Sequence, residues 1–321
     1  MGHGNWDRAS FEKYNKSRGR AVDTSGRVKG NYSNQDMFKA RSVDPALNPK
    51  NVMRECCDSE DHPATIPVIL ALDVTGSMGQ AAVEVAKELN IIMTKLYDKL
   101  PDVEFMVMGI GDLACDRAPI QISQFEADIR IADQLEKIFF EFGGGGNAYE
   151  SYTAAWYMAA RHTKLDCWKR GKRGILITMG DEPLNPYLPL RGSQTGLGEV
   201  TGDHLQADVE TGELYKECLP LYDIYHLNVE HRARTDERIE PSFRKYLDAK
   251  HYRNVNLSNI ADVIVEIITR AQAADQEDAP LVAWKTDATG EAVPQPAPKP
   301  GNEPKPAPGG ILGGILKAIS W

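Results

Sequence analysis

The chain is predicted to fold as an α/β domain, with a mostly parallel six-stranded sheet, one antiparallel edge strand and helices on both faces. Three observations predict it. Short apolar, β-branched runs alternate with amphipathic stretches of helical spacing from Thr65 to Ala274. The 321 residues are 42% apolar, enough for one sizeable core. The second and third strand candidates are joined by a loop with no room for a helix, which makes them a hairpin at one edge.

Residues 1–63 are rich in Gly, Ser, Asn, Asp and Arg and show no sustained periodicity. They read as a basic, largely extended arm in which Trp6, Phe11, Tyr14, Tyr32 and Phe38 are spaced like anchors. The domain proper is expected over 64–275. Its strand candidates are 66–73, 103–110, 119–125, 174–179, 222–229 and 252–257, each an apolar run with breakers nearby. Helices are expected over 78–100, 129–141, 148–163, 203–218, 238–248 and 259–274, with Ile91, Met93, Leu96 and Leu100 illustrating the spacing.

Residues 276–310 read as a flexible, Pro-rich linker, with seven prolines between 291 and 310. That proline run is expected to form neither helix nor sheet and, in polyproline II geometry, spans on the order of 50–60 Å. A short apolar peptide, 311–321, follows. Its Ile311, Leu312, Ile315, Leu316 and Ile319 share one helical face, and Trp321 ends it, which suggests a peptide that docks in a partner's groove. Folding back on the parent protein and shallow membrane contact are the competing readings, the latter with Lys317 as its one nearby cation.

The net charge of −9 is unevenly spread: residues 1–54 carry +6 and the rest −15. An acidic body argues against nucleic acid as the main ligand. The basic arm has two fates, contact with an acidic partner or return to its own body. Five scattered cysteines (Cys56, Cys57, Cys115, Cys167, Cys218) suit a reducing compartment, and neither a leader-like segment nor a run of membrane-spanning length is visible. The expectation is a cytoplasmic protein without a transmembrane segment.

The stretch TIPVILALDVTGSMG runs an apolar strand into a turn and then a helix. Asp73, Thr75 and Ser77 fall two residues apart at that junction. Hard oxygen ligands converging there suit a small divalent cation, Mg²⁺ or Mn²⁺. On these residues the chain resembles von Willebrand factor A (VWA) domains and their metal-ion-dependent adhesion site (MIDAS), over about residues 64–275. It is also similar, through the DSEDHP lead-in, the GGGG loop and the GDEP loop, to bacterial intracellular VWA proteins of uncertain function.

The resemblance implies a doubly wound sheet of order 3-2-1-4-5-6 with the metal at the carboxyl end of the central strand. It implies direct ligation by Thr75 and Ser77, often water-mediated contact from Asp73, and two further loops that add a threonine and an aspartate. For the threonine, Asn147, Glu150, Ser151 and Thr153 compete. For the aspartate, the chain places Met179 at the family's position, and Asp181 is the substitute. Asp112, Asp116 and Glu182 are expected on the same rim. A partner would present an acidic side chain to the metal, and by analogy AAA+ ATPases or stress-response assemblies are candidate partners.

Other chemistries fit these residues less well. TGSMG is one residue from the G-x-S-x-G nucleophile elbow, with Asp181 and His226 or His251 to complete a triad, yet the first glycine is Thr75 and no oxyanion loop precedes it. Neither a dinucleotide fingerprint nor a P-loop sits at a strand–helix junction, and Cys56-Cys57 with His62 lacks the second pair a zinc site needs. In a metal-free scaffold, Asp73 and Ser77 would merely cap the following helix, and the tails would carry the function. The function expected is cation-dependent protein binding, without catalysis.

Overall fold

The computed structural model describes residues 4–141, 149–230 and 236–274, together with two short strands at 284–286 and 292–294. The main sheet comprises β1 (Ile66–Asp73), β2 (Val103–Ile110), β3 (Ile120–Ile122), β4 (Gly174–Gly180), β5 (Tyr222–Val229) and β6 (Tyr252–Val255). Their spatial order is β6-β5-β4-β1-β2-β3, parallel except for the β2–β3 hairpin. The fold is therefore the doubly wound α/β arrangement that the sequence and the VWA resemblance implied.

The helices of six or more residues are α1 (Arg8–Ser17), α2 (Gly79–Tyr97), α3 (Arg130–Glu136), α4 (Thr153–Arg161), α5 (Thr211–Cys218), α6 (Ile239–Arg244) and α7 (Ile260–Ala274). Alternation along β1 assigns the two layers. Val68, Leu70 and Leu72 face the core built by α2, α7 and the arm, whereas Ile69 and Ala71 face the core built by α4, α5 and α6. Most predicted helices are shorter than their periodicity suggested. The stretch 203–218 is helical only from Thr211, because Val209–Glu210 pairs instead with Tyr187–Leu188.

The arm departs most from its reading as largely extended. Arg8–Ser17 is helical, capped by Asp7, and Phe11, Met37, Phe38 and Leu47 are buried in the core. Its basic residues return to the acidic body: Arg27 pairs with Glu84 and Glu88, Arg20 with Glu136, and Arg18 with Asp133 and Glu136. This covers the polar face of α2, where Glu84, Lys87 and Asn90 are buried and Trp6 Nε1 donates to Asn90 Oδ1 at 3.1 Å. Arg54 pins the arm to the sheet edge by donating to the Ala46 and Ile122 carbonyls at 2.9 and 3.1 Å.

Within the expected linker, Trp284–Thr286 and Ala292–Pro294 pair antiparallel, so part of it is strand after all. Pro294 ends its strand, where a missing N–H is tolerated. The docking peptide, with Ile311, Leu312, Ile315, Leu316, Ile319 and Trp321, lies outside the described residues, as does most of 276–310. No helix among the described residues is long and apolar enough to cross a membrane.

Candidate metal centre

The chain order reverses at β1: from there the strands build outward through β2 and β3 on one side and through β4, β5 and β6 on the other. The crevice beyond the carboxyl ends of these strands is where open α/β sheets bind ligands. Asp73 is the last residue of β1, Asp112 lies just past β2 and Asp181 just past β4, so topology alone delivers three carboxylates to this crevice.

Four side chains join into one chain of oxygens. Asp73 Oδ1 accepts from Thr75 N at 2.8 Å and Thr75 Oγ1 at 2.5 Å; Thr75 Oγ1 and Ser77 Oγ lie 3.4 Å apart; Ser77 Oγ donates to Asp181 Oδ1 at 3.1 Å. Adjacent ligands around an octahedral cation with bonds of 2.0–2.1 Å stand about 2.9 Å apart. The Thr75–Ser77 and Ser77–Asp181 oxygens, 3.4 and 3.1 Å apart, are somewhat wider than that, and the donor set is all hard oxygen, which suits such a cation. Asp73, whose Oδ1 accepts from the Thr75 hydroxyl, is placed to orient that ligand. The N-terminus of α2 follows directly, and its dipole favours anionic oxygen here.

Burial raises the Asp73 carboxyl above its ordinary range; the nearby Asp181 adds to this, while hydrogen bonds from Thr75 and Tyr152 oppose it. Glu150 is raised as well, by burial and then by Asp73, Asp112, Asp116 and Glu182. Burial likewise pushes Asp116 up to about 6. Negative charge is thus crowded into a dry crevice, a situation a divalent cation would reverse. Among the described residues, no three or more His, Cys, Asp and Glu side chains form a ready cage, so any cation would rely on the two hydroxyls.

The candidates for the missing threonine separate clearly. Thr153 accepts from Asn185 Nδ2 at 2.5 Å, and its backbone N–H donates to Asn185 Oδ1, so it fastens α4 to the loop after β4. Ser151 Oγ accepts from Leu113 N at 2.9 Å and lies 3.4 Å from Asp112 Oδ1, which bridges it to the loop after β2. Glu150 keeps a buried oxygen, Oε2, without a hydrogen bond, and Asn147 lies outside the described residues. Asp116 caps the Asp112 backbone N–H at 2.8 Å, while Asp112 Oδ1 accepts from Ala114 N. Met179 is fully buried in the α2 and α7 core, on the opposite face of β4 from Thr178.

Tyr152 is the site residue that sequence reasoning missed. Its buried hydroxyl donates to Asp73 Oδ2 at 2.8 Å and accepts from Glu182 N at 3.2 Å, so it links β1 to the loop after β4. Gly180 makes room for it: a Cβ there would fall 2.0 Å from the tyrosine oxygen. The glycine before Asp181 was the available signal.

The triad alternative finds its histidines engaged elsewhere. His226 Nδ1 and Thr178 Oγ1 are 2.9 Å apart, and its ring stacks on Phe243 at 3.7 Å; His251 Nδ1 lies 2.7 Å from Asp248 Oδ1. Burial lowers His226 to about 3, which keeps it neutral.

No protein-family model and no curated protein sequence matches the chain. Among solved structures, similarity is found to the pilus adhesin SpaC from Lactobacillus rhamnosus GG in its open conformation, at 12% identity and TM-score 0.44, covering 70% of this chain and 31% of SpaC. The vWF domain of the type V pili tip protein Mfa5 from Porphyromonas gingivalis is similar at 10% identity and TM-score 0.43, covering 67% of this chain and 97% of that domain.

Proposed function

We propose that the chain is a divalent-cation-dependent protein-interaction module acting in an intracellular assembly. The observation that carries this reading is the continuous run of Asp73, Thr75, Ser77 and Asp181 oxygens at the switch point of the sheet. Thr75, Ser77 and Asp181 would hold Mg²⁺ or Mn²⁺, with Asp73 orienting Thr75 and Tyr152 fixing Asp73. A bound cation supplies electrophilic attraction for one further oxygen. Two neutral hydroxyls leave most of its charge unneutralised, which favours an acidic side chain from a partner. AAA+ ATPases and stress-response assemblies are the partner classes suggested by analogy alone.

The reading is one of binding. Ser77 has its hydrogen bonds with Thr75 and Asp181, and no histidine stands in the role of a general base to it among the described residues. Calorimetric titration of chelator-stripped protein with Mg²⁺ and Mn²⁺ tests the proposal, beside Asp73→Ala and the milder Ser77→Ala. Saturable binding by the parent that is lost in both variants, with the thermal melt of Ser77→Ala unchanged, supports it. Absence of binding by the parent overturns it and leaves a metal-free scaffold.

A further inference from the structure

A groove of about 1270 Å³ runs between the arm and the β2–β3 edge of the domain. Its walls are arm residues from Arg18 to Arg41, the end of α3, and the segment Phe139–Glu141. It leads to the candidate metal centre, because Glu141 bridges in parallel to Thr75, and Asn34 beside the groove donates to the Gly79 carbonyl at the start of α2.

The charge in this groove is opposite to that of the body around it. Its acidic residues are engaged: Asp36 with the Ser33 amide and hydroxyl, Asp133 and Glu136 with Arg18, Arg20 and Lys137, and Glu141 with the Arg117 and Ala118 amides. Lys39 and Arg41 are exposed and make no hydrogen bond or ion pair among the described residues, and Arg117 is 73% exposed with only a 3.5 Å contact to Glu141. Three outward cations therefore line a trough in a protein of net charge −9. Its volume exceeds the roughly 300–1,000 Å³ of a small-molecule pocket, and an open trough of that size suits an extended chain. Tyr32 and Phe139 add ring surface for that chain to lie on.

We infer that this groove binds an extended acidic peptide of the partner, whose carboxylates meet Lys39, Arg41 and Arg117 while one more reaches the cation. The inference rests on the proposed function for its last contact only. Charge complementarity with Lys39, Arg41 and Arg117 favours an acidic peptide over basic or neutral ones.

The test is fluorescence anisotropy of a fluorescein-labelled decaglutamate peptide with the full chain, in Mg²⁺ and in chelator, against a Ser-Gly decapeptide and inorganic tripolyphosphate as competitor. The expected result is binding of decaglutamate only, weakened about tenfold or more by Lys39→Glu with Arg41→Glu. Calorimetric Mg²⁺ binding and the thermal melt of that double variant should match the parent. Peptide binding that survives in chelator and falls in the double variant keeps the groove even if the cation proposal fails. No decaglutamate binding, indifference to the double variant, or displacement by tripolyphosphate at lower concentration than by unlabelled decaglutamate would overturn it, whatever the Mg²⁺ titration gives.

Discussion

Ser77 Oγ donates to Asp181 Oδ1 across 3.1 Å, joining the turn after the central strand to the loop after its neighbour although the two residues lie 104 positions apart. This contact makes Asp181 the carboxylate that reaches the hydroxyls, in place of the residue two positions earlier. Asp181→Ala should therefore abolish saturable Mg²⁺ uptake in calorimetry while Glu182→Ala leaves it largely intact.

Placing an aspartate at Met179, where VWA domains carry one, should do harm. Met179 is fully buried in the apolar core shared with α2 and α7. Met179→Asp would put an unpaired carboxylate there, at a cost of about 3–5 kcal/mol by the measure of broken buried ion pairs. Urea denaturation should show a lower midpoint, and a Mg²⁺ titration of the folded fraction should show no gain in affinity.

Tyr152 offers a test of positioning. Tyr152→Phe deletes one hydroxyl and leaves Asp73 Oδ2 and the Glu182 amide short of a partner, which should cost about 1–3 kcal/mol in urea unfolding. Gly180→Ala should act through the same contact, since its Cβ would collide with that hydroxyl. In the double variant Tyr152→Phe/Gly180→Ala most of the Gly180→Ala loss should persist, because the ring's Cζ and Cε1 would still fall 2.3 and 2.5 Å from the new Cβ.

The arm is part of the core, and its removal should show it. Phe11 is 1% exposed and packs on Trp6 with centroids 5.6 Å apart. Phe11→Ala should destabilise the domain by about 3–5 kcal/mol, read from the same urea transition.

Two buried groups set opposing pH slopes. Burial pushes Glu104 up to about 7 from 4.5, so between those values the folded protein keeps a proton that the unfolded chain has shed, and stability declines as pH rises. His226, lowered to about 3 from 6.5, makes the unfolded chain the better proton acceptor, so stability declines as pH falls through that window. Glu104→Gln should therefore gain on the parent progressively from about pH 4.5 to 7, measured as the difference between the two urea-unfolding curves at each pH.

The strands were legible because each is an apolar run with its own breakers, whereas their order and the switch-point location came from the VWA resemblance carried by Asp73, Thr75 and Ser77. Asp181 was legible as an acidic residue after an apolar strand. Tyr152 was not, since nothing in SYTAAWYMAA distinguishes a tyrosine that reaches an aspartate 79 positions away from one that fills the core. Thr153 looked eligible for the same reason, and only the fold shows it fastened to Asn185. The arm was misjudged because its few apolar residues show no period; what they match is the covered face of α2, a partner distant in sequence.

Arg54 and Gln121 together decide how this sheet meets its own kind. β3 is a three-residue edge strand, the sort of unpaired margin on which a second chain can template itself. Its Ile122 carbonyl is taken by the Arg54 guanidinium, and the Gln121 amide exchanges two hydrogen bonds with the Phe139 backbone, at 2.7 and 2.9 Å. A neighbouring copy finds no continuous ladder to extend on that side, and this margin resists edge-to-edge fibre growth without a proline or a bulge in β3.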